Sequence, residues 1–293
     1  MFSQRYIHLT TNNKMIKNKT TQKELAEKFL ALHHTDHTLI LPNAWDAASA
    51  KIFEAAGFPA IATTSSGISF SCGYQDGEHI PPELMLRVVE RIVLSTGVPV
   101  SADIESGYAQ GNENKFTKFI NAVIDTGIAG INLEDSNSVT KKLNDLEYQQ
   151  RLITKVRELS SKKKVHLFIN ARTDAMRLGS GNLNARIAES IKRAKAFQDS
   201  GADGIFVPFV HEIETVAELK KEIKLPLNIL IEATLDVAEL KKLKVERIST
   251  GSGPSLTTLS LLKKLSDKLR NADHWDLLFD KQVNYADMMN YFA

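Results

Sequence analysis

The stretch IDTGIAGINLEDS, residues 124–136, decides the fold, because its pattern predicts the end of a helix, a glycine, a short connection and a buried strand. Gly127 stands just past the last helical turn, where glycine in the left-handed conformation commonly ends a helix. Two other stretches repeat this order around Gly57 and Gly201: EAAGFPAIATTSSG, residues 54–67, and QDSGADGIFVPFV, residues 198–210. The repetition predicts a chain in which helices and buried strands alternate.

The alternation continues on both sides of these stretches. Predicted strands lie near residues 39–42, 59–64, 98–104, 129–134, 165–171, 203–208, 226–231 and 245–250. Predicted helices lie near residues 44–56, 82–96, 112–126, 145–160, 183–200, 211–223, 235–243 and 255–270. Eight strand–helix pairs with near-continuous apolar strands predict an α/β fold, a (β/α)₈ TIM-type barrel. A doubly wound sheet is the alternative, but no GxGxxG follows the first strand to support a dinucleotide site.

The two ends of the chain flank this barrel. The segment TTQKELAEKFLALHH, residues 20–34, predicts an N-terminal helix. Residues 1–20 are interpreted as a flexible leader, although their lack of acids would also suit a transit peptide. Residues 21–293 then form a single barrel domain. The apolar tail NADHWDLLFDKQVNYADMMNYFA, residues 271–293, predicts a helical segment that caps its own barrel or docks on a second subunit.

Composition excludes several classes of function. The chain has 293 residues, a net charge of +2 and acids interspersed among its lysines, so no nucleic-acid partner is expected. The single cysteine, Cys72, excludes an internal disulfide and fits a cytoplasmic location. No apolar run approaches the roughly 20 residues that span a bilayer, so no membrane partner is expected.

Acids follow the third and fourth predicted strands directly. In VPVSADIESGYAQG, residues 98–111, Asp103 and Glu105 point the same way if the chain is extended, and Glu134 ends the next strand. Arg172 ends the fifth strand, and active sites of such barrels lie at the carboxyl ends of the strands. Clustered carboxylates are the ligands that Mg²⁺ prefers, directly or through its water shell, with Mn²⁺ as the alternative ion.

Other residue types are missing from these strand ends. No lysine stands there, which argues against a Schiff-base enzyme, and no histidine does either. His33, His34 and His37 are expected to be solvated at a helix end. His79 lies in the loop DGEHIPPE near the mouth of the barrel, and it is not expected to contact a substrate.

Several motifs in order resemble the isocitrate lyase/phosphoenolpyruvate mutase superfamily. They are NAWDAASAKIFEAAGFPAIATTSSGIS, DGE, DIESGY, GINLEDS and NARTDA, and the resemblance covers residues 39–253. It implies a Mg²⁺-dependent barrel that makes or breaks a C–C or C–P bond next to an α-oxo carboxylate, through a pyruvate enolate-type intermediate. It also implies a homo-oligomer, a dimer or tetramer, whose last helix is swapped between subunits.

The resemblance assigns roles to individual residues. Ser66, Gly67 and Ile68 match the loop that holds a substrate carboxylate, and Arg172 matches the arginine that pairs with a carboxylate or phosphonate. Glu134 and Ser66 join Arg172 as catalytic candidates, and Asp103 also contacts substrate. The acids that match the surroundings of the magnesium ion are Asp76, Asp103, Glu105 and Glu134. Asp46 is better explained as the N-cap of the following helix.

The chain departs from the lyase branch after the fourth strand. That branch has a catalytic cysteine there, whereas this chain reads LEDSNSVTKKLNDLEYQQ. Lys141, Lys142 and Asn144 lie in this segment without the spacing of the mutase and hydrolase branches, and Tyr108 and Glu134 are candidate proton donors. The chain looks most similar to the carboxyphosphonoenolpyruvate phosphonomutase-like branch. Hydrolysis of oxaloacetate or a phosphonopyruvate, and a catalytically silent binding protein, are the alternatives.

Overall fold

The apolar strands pair side by side, all parallel, into one sheet. The computed structural model describes residues 20–271, 275–279 and 283–293, without the side chain of residue 277. The strands are β1 (Leu39–Leu41), β2 (Asn43–Ala44), β3 (Ile61–Thr63), β4 (Val100–Asp103), β5 (Gly130–Glu134), β6 (Phe168–Arg172), β7 (Gly204–Val207), β8 (Leu227–Leu230) and β9 (Arg247–Ser249). Their order in the sheet is β1-β9-β8-β7-β6-β5-β4-β3-β2.

The predicted first strand is divided into β1 and β2 by Pro42. β1 pairs with β9, and β2 pairs with β3. Proline has no N–H to donate, but its carbonyl oxygen accepts a hydrogen bond from the Ala62 amide at 2.8 Å. Because β1 and β2 are consecutive in the chain, the two edges of the sheet meet. The sheet is therefore a nearly closed barrel, and the predicted (β/α)₈ TIM-type fold is confirmed.

Helices surround the barrel as the alternation predicts. The helices that precede or follow the predicted strands are α1 (Gln22–Leu32), α2 (Ala47–Ala55), α3 (Ser65–Ser71), α4 (Pro82–Ser95), α5 (Glu113–Asp125), α6 (Leu146–Lys162), α7 (Ala175–Leu178), α8 (Leu183–Asp199), α9 (Ile213–Glu222), α10 (Val237–Lys242), α11 (Gly253–Arg270), α12 (Asp276–Phe279) and α13 (Tyr285–Tyr291). The short helices α3 and α7 were not among the predicted helices. Both lie directly after a strand and are too short for a helical apolar period to be visible in the sequence.

Alternation along the strands separates a polar interior from an apolar outer layer. In β5, Ile131 and Leu133 belong to the large apolar cluster that also includes buried helix residues such as Val156. Asn132, between them, is buried and accepts a hydrogen bond from the Asn170 amide nitrogen at 2.8 Å. The period of two therefore carries polar side chains up the same face to the carboxyl ends of the strands.

His33 is not solvated, so the expectation for this residue was wrong. It is 2 % exposed, and its ring stacks on Phe168 with 3.9 Å between ring centroids. Its Nδ1 lies 2.8 Å from the Phe29 carbonyl oxygen. The end of α1 packs on a barrel strand, and no local feature of the sequence shows this contact.

Burial of His33 predicts a pH-dependent stability. Burial, assisted by the charge of Arg247, lowers the pKa of His33 to about 3. In the unfolded chain the pKa of His33 is near 6.5. Between this pH and about pH 3 the unfolded state binds a proton that the folded state does not, so the free energy of unfolding decreases as pH falls through this range. The largest slope is about 1.4 kcal/mol per pH unit. Denaturant unfolding between pH 7.5 and 5 should show a smaller slope for His33→Phe and an unchanged one for the exposed His37→Phe.

The C-terminal helices leave apolar side chains uncovered. In α11 only Ser255 is buried, whereas Leu256, Leu259 and Leu262 are 45 %, 45 % and 55 % exposed. α13 contacts α2 of the same chain. The predicted exchange of the last helix between subunits stays a prediction.

Other predictions about the ends and surroundings of the chain also stay predictions. Residues 1–19 of the predicted leader lie outside the described residues. None of the helices in the described ranges has both the length and the apolar character needed to cross a membrane. The predicted cytoplasmic location is not tested by this finding.

Candidate active site

A cavity of about 230 Å³ lies at the carboxyl ends of the strands, where the sequence predicts the site. Its lining includes side chains from four strand ends and from the loops that follow them. Among them are Ser65, Asp76, Glu105, Glu134, Lys141 and Arg172. The fold therefore brings three of the four predicted metal-site acids and the predicted arginine to one cavity.

Asp103, the fourth acid, is held by the start of α3. Its Oδ2 accepts hydrogen bonds from the Ser65 hydroxyl at 2.9 Å and the Ser65 amide at 3.3 Å. Its own amide donates to the Thr63 hydroxyl at 2.9 Å. The other carboxylate oxygen, Oδ1, is buried without a hydrogen-bond partner in the described part of the chain. A buried carboxylate oxygen with no donor is an available ligand for a cation.

Glu105 is 4 % exposed and has a left-handed backbone, with φ at +51°. Its Oε1 accepts a 2.6 Å hydrogen bond from the Tyr108 hydroxyl, and its Oε2 accepts a 2.7 Å bond from the Glu78 amide. Burial raises the pKa of Glu105 to about 8, opposed by the Tyr108 bond and reinforced by the charges of Asp76, Glu134 and Asp103. Strained backbone of this kind persists where surrounding contacts hold it, often at functional sites.

Glu134 and Asp174 hold Arg172 from two sides. The Arg172 Nη1 lies 3.0 Å from Glu134 Oε2, and its Nε and Nη2 donate to Asp174 at 2.7 and 3.1 Å. Burial raises the pKa of Glu134, while the Arg172 charge opposes this shift. The two hydrogen bonds to Asp174 use two of the five N–H groups of the guanidinium. The remaining N–H groups include those of Nη1, beside Glu134 and the cavity.

The carboxylates around the cavity could surround a hydrated divalent cation. Burial and the charge of Asp103 raise the pKa of Asp76, so the acids repel one another across the cavity. In the described ranges, no group of three or more His, Cys, Asp or Glu side chains could hold a metal ion. Mg²⁺ commonly keeps several waters and contacts only one or two carboxylates, so an outer-sphere site agrees with both observations.

The loop after β5, residues 135–145, lies over this cavity. The Ser138 hydroxyl donates to Glu78 Oε2 at 2.7 Å, and Glu78 Oε1 accepts bonds from the Ser106 hydroxyl at 2.6 Å and the Tyr108 amide at 2.7 Å. Lys141 also lines the cavity. Glu78 thus joins three loops, a role that the sequence analysis missed. The DGE motif was the one available signal.

The remaining loop residues have mostly structural contacts. Asn144 is buried and donates to the Gln149 side chain at 3.2 Å, while Lys142 is exposed and does not line the cavity. Cys72 ends α3 and does not line the cavity either. Burial and the charge of Glu105 raise the pKa of Tyr108, which makes it a poor proton donor.

Ser66, Gly67 and Ile68 lie in the first turn of α3. The Gly67 amide donates to the Thr64 hydroxyl at 3.3 Å, and the Ile68 amide donates to the Thr64 carbonyl at 3.0 Å. The Ser66 hydroxyl lies 3.1 Å from that of Thr64, and the neighbouring Ser65, not Ser66, lines the cavity. The substrate-binding role of this turn stays a prediction.

A glycine is required at position 67 for steric reasons. A Cβ there would lie 2.7 Å from the Thr64 side chain and 2.9 Å from Trp45 Cβ.

Asp46 and His79 lie in two other loops for which the sequence made predictions. Asp46 is the N-cap of α2, with a 2.7 Å bond from the Ser49 amide, as expected. His79 is exposed and does not line the cavity.

Comparisons with known proteins place this site in a family context. The sequence pattern described as phosphoenolpyruvate phosphomutase matches residues 29–270. The uncharacterized protein Rv1998c of Mycobacterium tuberculosis is 36 % identical over 77 % of this chain and 82 % of its own length. The 2-methylisocitrate lyase of Halalkalibacterium halodurans is 27 % identical over 73 % of this chain and 69 % of its own.

A solved structure agrees with these sequence relationships. A Burkholderia cenocepacia protein, provisionally assigned as a phosphonomutase, has a TM-score of 0.80 and 34 % identity. The similarity covers 84 % of this chain and 99 % of that chain.

Proposed function

Because the chain belongs to the phosphoenolpyruvate phosphomutase family, we propose that it is a Mg²⁺-dependent enzyme acting on a small α-oxo acid. It makes or breaks a C–C or C–P bond next to the oxo carboxylate, through a pyruvate enolate-type intermediate. The observation that carries the proposal is the convergence of Asp76, Glu105, Glu134 and Arg172 on one cavity. Acids and a cation that meet in a small cavity suit a metal-chelating anion better than a neutral ligand.

The acids would hold the metal, and Arg172 would hold the substrate. Asp103 offers its unpartnered Oδ1, with Asp76, Glu105 and Glu134 around the water shell of the ion. When bound, the metal supplies Lewis-acid polarisation of the substrate oxygens. The N–H groups of Arg172 that neither Asp174 nor Glu134 occupies would bind and orient an anionic group.

The loop of residues 135–145 would shield the reacting atoms from water. Its Ser138 bond to Glu78 holds it against the loops after α3 and β4. A shielded site strengthens the electrostatic contacts inside it and protects a reactive intermediate from hydrolysis. The same shielding favours a lyase or mutase over a hydrolase.

A ligand panel tests this function. Thermal unfolding would be followed with and without Mg²⁺ in oxalate, pyruvate, oxaloacetate, phosphonopyruvate, isocitrate and 2-methylisocitrate. Oxalate resembles the pyruvate enolate, so we expect a stabilisation by oxalate that requires Mg²⁺. Mn²⁺ should replace Mg²⁺. No stabilisation by any acid would contradict the proposal and would favour a catalytically silent binding protein.

The products of active acids then identify the reaction. Pyruvate with an aldehyde or acid indicates a lyase, and rearranged phosphonate indicates a mutase. Oxalate with acetate, or pyruvate with phosphate, indicates the hydrolase alternative. NMR of the complete reaction mixture separates these outcomes.

The exposed side of α11 supports a homo-oligomer as part of this proposal. Leu256, Leu259 and Leu262 follow at intervals of three residues and are about half exposed. An apolar stripe of this kind favours a covering subunit. We expect light scattering to show a dimer or tetramer, and Leu259→Lys together with Leu262→Lys to shift it toward the monomer. A matched pair of exposed lysines of α11 outside this stripe, Lys264→Glu with Lys268→Glu, should leave the assembly unchanged. A monomeric wild type would contradict the prediction.

A further inference from the structure

A second arginine, Arg177, lies beside Arg172 at the wall of the cavity. It belongs to α7 and is partly exposed, and its Nη2 donates to Oδ2 of Asp174. Asp174 is fully buried and also accepts both hydrogen bonds from Arg172. Burial alone would raise the pKa of Asp174, but the two guanidiniums hold it below its usual value. One ionised carboxylate therefore orients two cations that line the same cavity.

Phe209 packs against both arginines. Its ring centroid lies 5.0 Å from Arg177 Cζ and 5.9 Å from Arg172 Cζ. Its φ is +63°, a left-handed conformation that bulky side chains rarely adopt. Strain of this kind persists only where other contacts fix it. The ring is thus held in a defined position near both guanidiniums.

Arg177 and Phe209 also line a second cavity, which we call the outer cavity. Its volume is about 420 Å³, and its lining includes Arg177, Leu183, Arg186, Phe209, His211 and Glu212. Arg177 and Phe209 are therefore shared by the lining of both cavities.

Arg186 gives the outer cavity a second cation. Its Nη1 donates to the Met176 carbonyl at 2.8 Å. Its Nε is buried and has no hydrogen-bond partner within residues 20–271 or the described parts of the tail. With Arg177 and Arg186 against Glu212, the ionised lining residues of the outer cavity carry a positive balance.

The side of the active-site cavity that carries Arg177 and Phe209 is the side it shares with the outer cavity. A substituent on C3 of a bound oxo acid that extends toward this side would lie beside the Arg177 guanidinium.

We propose that Arg177 determines substrate choice by binding an anionic group at the end of the C3 substituent, which extends toward Arg186 in the outer cavity. The ligand class is a 2-oxo acid with a second, distal carboxylate or phosphonate. This inference rests on the proposed function, because the oxo-acid end is assigned to the metal and Arg172. A guanidinium forms charge-assisted, bidentate hydrogen bonds to such groups, which makes Arg177 the specificity-determining residue.

Matched ligand pairs test the role of Arg177. Calorimetric titration with Mg²⁺ would compare 2-oxoglutarate with 2-oxopentanoate, and 2-oxoadipate with 2-oxohexanoate. Each pair differs by the distal carboxylate. The wild type should prefer at least one diacid by about tenfold or more, as expected for a charged hydrogen bond. Arg177→Met should lose this preference, Arg177→Lys should retain part of it, and Arg151→Met, on the outer face of α6, should retain all of it.

Oxalate separates the possible failures. Oxalate lacks a distal group, so Arg177→Met should weaken the binding of oxalate much less than the binding of the diacid. Equal weakening of both would show that Arg177 acts through Asp174 and Arg172, and it would overturn the proposal. An unchanged preference in Arg177→Met, or no preference in the wild type, would also overturn it. If the wild type does not bind oxalate with Mg²⁺, the proposed function itself fails. Arg177→Gln provides a second variant if the methionine variant does not fold.

Discussion

Replacing Asp103 with alanine is expected to abolish turnover and the Mg²⁺-dependent stabilisation by oxalate together. Asp103 ends β4 and accepts a hydrogen bond from Ser65, which lines the cavity, and its Oδ1 lies buried without a partner among the described residues. Loss of this carboxylate removes the ligand that we assign closest to the metal. A metal that supplies several kcal/mol of charge stabilisation corresponds to a rate loss of about a thousandfold or more.

Two controls make the Asp103 result specific. Asp103→Asn keeps the shape and can still accept from Ser65, but it lacks the negative charge, so it should fold normally and remain inactive. Asp236→Ala removes an exposed N-cap carboxylate from α10 and should keep full activity. Isothermal titration with Mg²⁺ and oxalate measures binding directly. Wild-type activity in Asp103→Ala would rule out the metal assignment.

Arg193→Met should lower the free energy of unfolding by about 3–5 kcal/mol, the usual range when one partner of a buried ion pair is removed. The Arg193 Nη1 lies 3.0 Å from Asp135 Oδ2 and also donates to the Asn144 carbonyl at 3.0 Å. Asp135 is fully buried, and burial raises its pKa to about 6 even with Arg193 beside it. Without the Arg193 guanidinium, the buried Asp135 carboxylate would lose the positive charge that offsets the cost of removing it from water.

The matched controls for Arg193 use an exposed arginine and the partner residue. Arg151→Met, with its side chain 61 % exposed, should change stability by no more than about 0.5 kcal/mol. The double variant Asp135→Asn with Arg193→Met should recover part of the loss, because no unpaired charge remains. Urea unfolding at pH 7.5 measures all three. A loss below about 1 kcal/mol in Arg193→Met would contradict the assigned role.

Asp135 connects this ion pair to the active site. Its Oδ1 accepts a 2.8 Å hydrogen bond from the Asp174 amide, and Asp174 orients Arg172 and Arg177. Its carbonyl oxygen accepts a 2.7 Å bond from the Asn144 amide at the far end of the loop. Two buried aspartates therefore support the cationic end of the cavity and the loop over it.

Several features were predictable because they depend on neighbours in the sequence. A glycine after each helix and near-continuous apolar strands are local signals, and they predicted the barrel. The capping role of Asp46 was visible from its position before α2. The common direction of Asp103 and Glu105 was predicted for an extended chain, but β4 ends at Asp103 and the backbone of Glu105 is left-handed.

Other features were not predictable because they depend on contacts between distant segments. His33 is buried because α1 packs on Phe168, more than a hundred residues away. Glu78 accepts hydrogen bonds from Ser138 and Ser106, which belong to different loops. The local sequences of these loops do not show that they lie close together.

The sequence by itself determined the barrel, the strand ends that carry the acids and the family of the chain, since these depend on local periodicity and on motif order. Only the tertiary structure decided that Ser65 holds Asp103, that one buried aspartate orients Arg172 and Arg177, and that two cavities share a wall at Phe209. These are distances between side chains on different strands and helices. They are set by how the elements pack, and the order of residues along the chain does not encode them in any local pattern.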